Sequence, residues 1–173
     1  YDAVSSSAML MANEASFGAG FDVIPNYHFD KAQVIFSFAA DFLGTWISPV
    51  EFAAAYSKNR KINLKNPSMS RMYYAESSMS LTGSNADNRI LVKPSEQGVA
   101  IATLYNEVAR LAGGQSVSVS GTLSHPKAEP AIKAAAKDLW ANRSKGTLVV
   151  AGSNNMGEQV LVNATNNLLG AYG

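Results

Sequence analysis

Short apolar runs alternate along this chain with longer stretches in which apolar residues recur at three- and four-residue intervals. Val34-Ile35-Phe36-Ser37-Phe38 is apolar at nearly every position and carries β-branched and aromatic side chains, the pattern of a strand covered on both faces. It breaks at Ala39-Ala40-Asp41. Beyond a loop, Ser48-Pro49-Val50-Glu51 sets a hydroxyl at the N-cap, proline at the first helical position and glutamate at the third. That arrangement predicts a capping box and a helix over 50–60. The same reading predicts strands at 71–75, 89–93 and 146–151. It predicts helices at 8–15, from Pro94-Ser95-Glu96 through Leu111, at 131–142 and at about 158–168. Ser5-Ser6-Ser7 supplies caps for the first helix, Gly18 and Gly20 its stop, and Gly113-Gly114 closes the long one.

Strands alternating with helices imply a parallel sheet, and short double-sided apolar strands imply that both its faces are covered. The predicted fold is therefore three-layer α/β, mainly parallel, with helices on both faces of the sheet. Composition shifts at 115–130, which is rich in Ser, Thr, Gly and Pro. It reads as a connector, with a short edge strand at Val117 and Val119, between a first βα lobe over 1–114 and a second over 131–173. Three predicted strands end in small polar loops, at 39–45, 76–87 and 152–157, and right-handed crossovers bring those ends to one edge of the sheet. Ligands of such sheets bind outside the strand ends, so these loops are the first candidates for a site.

Composition narrows the chemistry. The 173 residues carry 14 basic and 13 acidic side chains for a formal charge of +1, so no basic footprint for nucleic acid is expected. Cysteine is absent, which removes thiolate catalysis and iron–sulfur ligation from this segment. The two histidines, His28 and His125, are far apart and lack metal-ligand spacing. No apolar run reaches the ~20 residues of a membrane span. The stretch Gly152-Ser153-Asn154-Asn155-Met156-Gly157 has the look of a strand–turn–helix phosphate cradle, but lacks the middle glycine of the dinucleotide motif and the Lys-Ser/Thr of a P-loop. The chain opens on Tyr1, as though mid-element, and is expected to be a piece of a longer subunit.

Several longer strings carry a resemblance. Ala39-Ala40-Asp41 with Ser48-Pro49, Glu76-Ser77-Ser78 through Ala86-Asp87, Lys93-Pro94-Ser95-Glu96-Gln97, Val149-Val150-Ala151-Gly152 and Ala164-Thr165-Asn166-Asn167-Leu168-Leu169-Gly170 follow one another in an order that resembles the molybdopterin oxidoreductase superfamily of dimethyl-sulfoxide reductase and formate dehydrogenase. More closely, Phe29-Asp30-Lys31-Ala32, Asp41-Phe42-Leu43-Gly44-Thr45-Trp46, Ser48-Pro49-Val50-Glu51, Met79 through Asp87 and Val92-Lys93-Pro94-Ser95 resemble the large iron–sulfur, molybdopterin-oxidoreductase-like subunit of alternative complex III, a bacterial respiratory assembly that oxidises quinol.

The resemblance implies the middle-domain fold of that superfamily, in which the loops at these strand ends hold the guanosine ends of molybdopterin guanine dinucleotide. Matched by position, Asp41 stands for a usual Asn, Glu76-Ser77-Ser78 for Asp-Pro-Arg, and Ser95-Glu96-Gln97 for Gly-Thr-Asp. Trading aspartate for glutamine removes the anionic acceptor that would meet guanine's N–H donors, and trading arginine for serine removes a charged fork. The resemblance thus implies a scaffold without pterin, with iron–sulfur clusters elsewhere in the parent chain. Implied partners are the rest of that chain and other subunits of a respiratory membrane complex, on the periplasmic side of the cytoplasmic membrane and without direct insertion.

The residues expected to line a polar crevice are Asp41, Glu76, Ser84, Asn85, Asp87, Gln97 and Asn154. Each has an ordinary structural alternative: Ser84 and Asp87 would cap turns, and Glu76 would pair with Arg71 or Arg89. Two other functions fit the pattern, an active molybdopterin oxidoreductase segment holding the cofactor's nucleotide tails and an unrelated nucleotide-binding α/β module. Neither a catalytic acid–base pair nor a triad can be assembled from the sequence.

Overall fold

A computed structural model describes residues 5–62, 64, 65 and 67–172. Residues 1–4, where the chain was expected to begin mid-element, lie outside the described residues. In chain order the elements are α1 (Ser7–Phe17), β1 (Val34–Phe38), α2 (Pro49–Lys58), β2 (Arg71–Glu76), α3 (Leu81–Ser84) and β3 (Asn88–Leu91). There follow α4 (Gln97–Ala112), α5 (Ala128–Asn142), β4 (Thr147–Ala151) and α6 (Met156–Leu168).

The four strands form one all-parallel sheet in the order β3-β2-β1-β4. β1 lies between β2 and β4, with Val34 beside both Arg71 and Thr147, and all five of its residues are buried. Period-two alternation splits its side chains between two cores. Val34, Phe36 and Phe38 join Ile90, Val149 and the apolar stripes of α4 and α5 on one face, together with Val162 of α6. Ile35 joins Met72, Phe52 and Tyr56 of α2, and Phe29 and Phe42 on the other. Phe29 and Phe42 stack with ring centroids 4.2 Å apart. Each such buried side chain contributes about 1.5–3 kcal/mol of transfer free energy. The three-layer α/β arrangement is the one the alternating pattern predicts, and the segments 1–114 and 131–173 share this single sheet.

Several local expectations take a different form. Ser48 starts α2, but its hydroxyl meets the Glu51 carboxylate at 3.1 Å and caps no backbone N–H. The glycine- and serine-rich loop after β2 contains the short α3, capped by Ser80, whose hydroxyl accepts from the Gly83 N–H. No strand forms at Val117 and Val119. That segment is held instead by the Asn106 side chain, which accepts from the Val117 N–H and donates to the Val117 carbonyl, so one amide takes the place of a neighbouring strand. β4 is an edge, and α6 guards it in the same way. The Asn166 amide accepts from Val149 N–H at 2.9 Å and donates to Val149 C=O at 2.7 Å, and Gln159 donates to Ala151 C=O. These contacts satisfy edge groups that would otherwise invite pairing with another chain.

Candidate functional site

The chain steps from β1 to β2 to β3 in one direction, and β4 then joins on the other side of β1. In open parallel sheets such a reversal marks the crevice where ligands bind, outside the carboxyl ends of the two strands that flank it. Here those ends are Ala39-Ala40-Asp41 after β1 and Gly152-Ser153-Asn154 after β4. They press together: a Cβ added to Gly152 would lie 2.6 Å from the Ala39 carbonyl oxygen, so only glycine permits the approach. Ala39 itself takes a left-handed conformation, φ 51°, as does Ile47, φ 54°, at the far end of the same loop. Such backbone is costly for residues with a Cβ, above all a β-branched one, and it persists where surrounding contacts hold it.

Asp41 supplies those contacts. Its carbonyl oxygen accepts from the N–H groups of Gly44, Thr45 and Trp46, folding the loop back over β1. Its carboxylate Oδ1 accepts from the Thr82 N–H at 2.9 Å and the Thr82 hydroxyl at 2.7 Å, while Thr82 Oγ1 accepts in turn from the Leu43 N–H. The β1 loop is therefore clasped to α3, at the end of β2. Thr82 was not among the residues read from sequence as candidates, because a threonine between leucine and glycine carries no local signal of a partner 41 positions away.

Glu76 lies on the other side of α3 and is only 4% exposed. Its Oε1 accepts from Arg89 Nε at 2.6 Å and its Oε2 from the Ser80 N–H at 3.0 Å. Gly83 passes so close to the carboxylate that any side chain there would collide with it. Of the two arginine partners considered from the sequence, Arg89 is the one that pairs. Tyr74, fully buried below this cluster, has its phenol pKa raised well beyond the usual range by burial. A Ser80 hydrogen bond opposes that shift and the negative charges of Glu76 and Asp41 add to it.

The other candidates divide. Ser84 and Asn85 sit at the exposed end of α3, where both side chains donate to the Leu81 carbonyl. Gln97 opens α4 and lines, with Glu76, Ser77 and Ala39, a cleft of about 130 Å³. Asn154 follows β4, and its side-chain oxygen accepts from the Ala8 N–H at 3.1 Å, so it caps α1 from 146 residues away. The expected serine cap is present in part, since the Ser5 hydroxyl accepts from the Ser7 N–H at 3.1 Å, and the strand end adds the next bond.

Asp87 is at the opposite end of the sheet. Its Oδ2 accepts from the Met72 N–H at the start of β2, and both carboxylate oxygens accept from Arg60, at 2.7 and 2.9 Å. The structure thus gathers Asp41, Glu76, Ser84, Asn85, Gln97 and Asn154 around the strand ends and leaves Asp87 outside that group. Asp87 precedes β3, so its end of the loop returns to the sheet's amino edge, a displacement that residue composition does not reveal.

Chemically, Asp41, Glu76, Ser84, Asn85 and Asn154 each spend side-chain oxygens or amides on partners within the protein. Both oxygens of Glu76 and the side-chain oxygen of Asn154 have protein partners, and ligand pockets usually enclose about 300–1,000 Å³, well above the rim cleft. Among the described residues, no group of three or more His, Asp or Glu side chains is placed to hold a metal ion. None of the helices described there is long and apolar enough to cross a membrane. No protein-family model and no curated protein matches this chain.

Proposed function

We infer that this chain is a segment of a respiratory electron-transfer subunit resembling the molybdopterin-oxidoreductase-like subunit of alternative complex III, acting as a scaffold and interaction layer without pterin. The observation that carries the reading is the engaged rim. Glu76 stands where the resemblance places a guanosine-binding aspartate loop, yet Arg89 and the Ser80 N–H hold its carboxylate inside the protein. Freeing it for a nucleotide would break both bonds of a carboxylate that is only 4% exposed and part it from Arg89, so a ligand would have to compete with partners already in place. Gln97, in place of an aspartate, is uncharged and faces a cleft too small for a nucleoside. The residues present do not fit the nucleotide end of the cofactor.

On this reading electrons pass through iron–sulfur clusters elsewhere in the parent subunit, on the periplasmic side of the membrane. The present segment contributes a rigid platform to its own chain and to partner subunits. The decisive experiment is metal analysis of the intact subunit together with extraction of its organic cofactors. We expect no molybdenum and no guanine-containing pterin. Stoichiometric molybdenum with a pterin would overturn the scaffold reading.

A further inference from the structure

We propose that the cleft between β4, α6 and the segment 25–32 is a binding site for a small aromatic carboxylate. The first observation is its size and make-up. The cleft encloses about 360 Å³, against about 130 Å³ for the one at the strand ends. Small-molecule sites usually span ~300–1,000 Å³ and set a few polar groups among apolar and aromatic walls. Here Tyr27, Leu148, Val162 and Tyr172 supply the walls.

The second observation is a hydroxyl without a partner. Thr147, in the lining, is only 5% exposed, and its Oγ1 makes no hydrogen bond. A buried hydroxyl left in this way costs free energy and calls for a partner from outside the chain. Its position in the sheet explains the gap. Further along the same edge of β4, Val149 and Ala151 have outward backbone groups met by Asn166 and Gln159 of α6. Among the described residues, no α6 amide reaches Thr147, the first residue of the strand.

The third observation is charge, which selects the ligand. One lysine, one histidine and no carboxylate line the cleft. The Lys31 ammonium has no ion-pair partner, and Asp30, the acidic neighbour of His28, is held by Lys58 at 3.2 Å. Gly146 packs against the Lys31 carbonyl, where a Cβ would clash, and this close approach sets Lys31 beside the start of β4. Two amides in the lining have already committed their N–H groups, Asn163 to Asn13 and Ser16, and Gln159 to Ala151 and Ser153. Burial raises the pKa of both phenols, that of Tyr172 to about 12, so neither carries a charge that would oppose an anion. A flat ring against the tyrosines, with its carboxylate toward Lys31 and Thr147, answers all three observations. The proposal rests on this cleft alone and holds whether or not the chain belongs to a respiratory subunit.

The test titrates naphthoate and its neutral analogue naphthamide into the protein, followed by two-dimensional amide NMR. Naphthoate is expected to shift the signals of Gly146, Leu148 and Gly170 and to saturate. Naphthamide is expected to bind about tenfold more weakly, for want of the charge-assisted bond to Lys31. Lys31→Gln should weaken naphthoate and remove that difference. Thr147→Val deletes a hydroxyl with no partner in the free protein, so it is expected to weaken naphthoate about fivefold while leaving the unfolding midpoint unchanged or higher. Lys133→Gln, on α5 and outside the lining, should leave binding as it is. The proposal is overturned if naphthoate shifts none of these signals, if the two compounds bind equally well, or if either Lys31→Gln or Thr147→Val leaves naphthoate binding intact.

Discussion

Glu76 and Asp87 are both carboxylates held by an arginine and a main-chain N–H, one at each end of the sheet. Glu76 locks α3 beneath the strand ends, whereas Asp87 locks the start of β2 to the end of α2 through Arg60. Burial tends to raise the Asp87 pKa, but the Arg60 guanidinium and the Met72 N–H outweigh it and hold the carboxyl below its ordinary value. A carboxylate with a lowered folded pKa stabilises the protein above its unfolded value near ~4, and that contribution is lost as pH falls through the folded pKa. Asp87→Asn is therefore expected to cost about 1–3 kcal/mol at pH 7, as loss of a charged hydrogen-bonded group does. The penalty should shrink below pH 4. Urea unfolding of both proteins at pH 7 and pH 3 checks this, and an equal penalty at the two pH values would refute the assignment. The sequence made both residues visible as polar groups near strand ends. The loop between them leads into a parallel strand and so must cross from the carboxyl edge to the amino edge; Asp87, directly before β3, belongs to the far end for that reason, and grouping all of 76–87 with the strand ends overlooked it.

At the scale of elements, α6 shows how an edge strand is finished by side chains. Gln159, Asn163 and Asn166 recur at helical spacing on its buried face, and all three are less than one-tenth exposed. A run of amides on a helix reads from sequence as a solvated surface, yet here they replace the missing neighbour of β4 and bridge to α1. Asn166→Leu removes both partners of Val149 and leaves two backbone groups buried without hydrogen bonds. The expected loss is about 2–6 kcal/mol, from two orphaned groups at about 1–3 kcal/mol each. Denaturant unfolding measures it, and a change below about 1 kcal/mol would show that Val149 finds other partners. An accompanying rise in aggregation is expected, since an unguarded edge templates pairing. Element identity was largely legible: β1 coincides with its predicted span, and Gly113, left-handed at φ 73°, ends α4 where the paired glycines predicted. Helix-start chemistry was less so, because capping side chains choose partners by distance in space, as Asn154 does for α1.

For the whole molecule, the sheet order makes the two halves interdependent. β1 takes one neighbour from each side of the connector, and the core between sheet and helices draws on α4, α5 and α6 together. Unfolding is expected to be a single cooperative transition, seen as coincident curves by far-ultraviolet circular dichroism and tryptophan fluorescence. A chain ended at residue 114 is expected to remain unfolded or aggregate, since it bares the β1 edge and half of the larger core. A soluble truncated protein with a cooperative transition of its own would contradict this.

The sequence by itself determined the alternation of strands and helices, the parallel three-layer class and most element boundaries. Those follow from periodicity, glycine stops and proline starts acting over a few residues. The tertiary structure decided the strand order, the edge position of β4, the clasp of Asp41 to Thr82, the capture of Glu76 by Arg89 and the removal of Asp87 to the far end. Each of those joins groups beyond the reach of local sequence, from 13 residues apart for Glu76 and Arg89 to 41 for Asp41 and Thr82, and their energies come from packing and desolvation that exist only once the layers have closed.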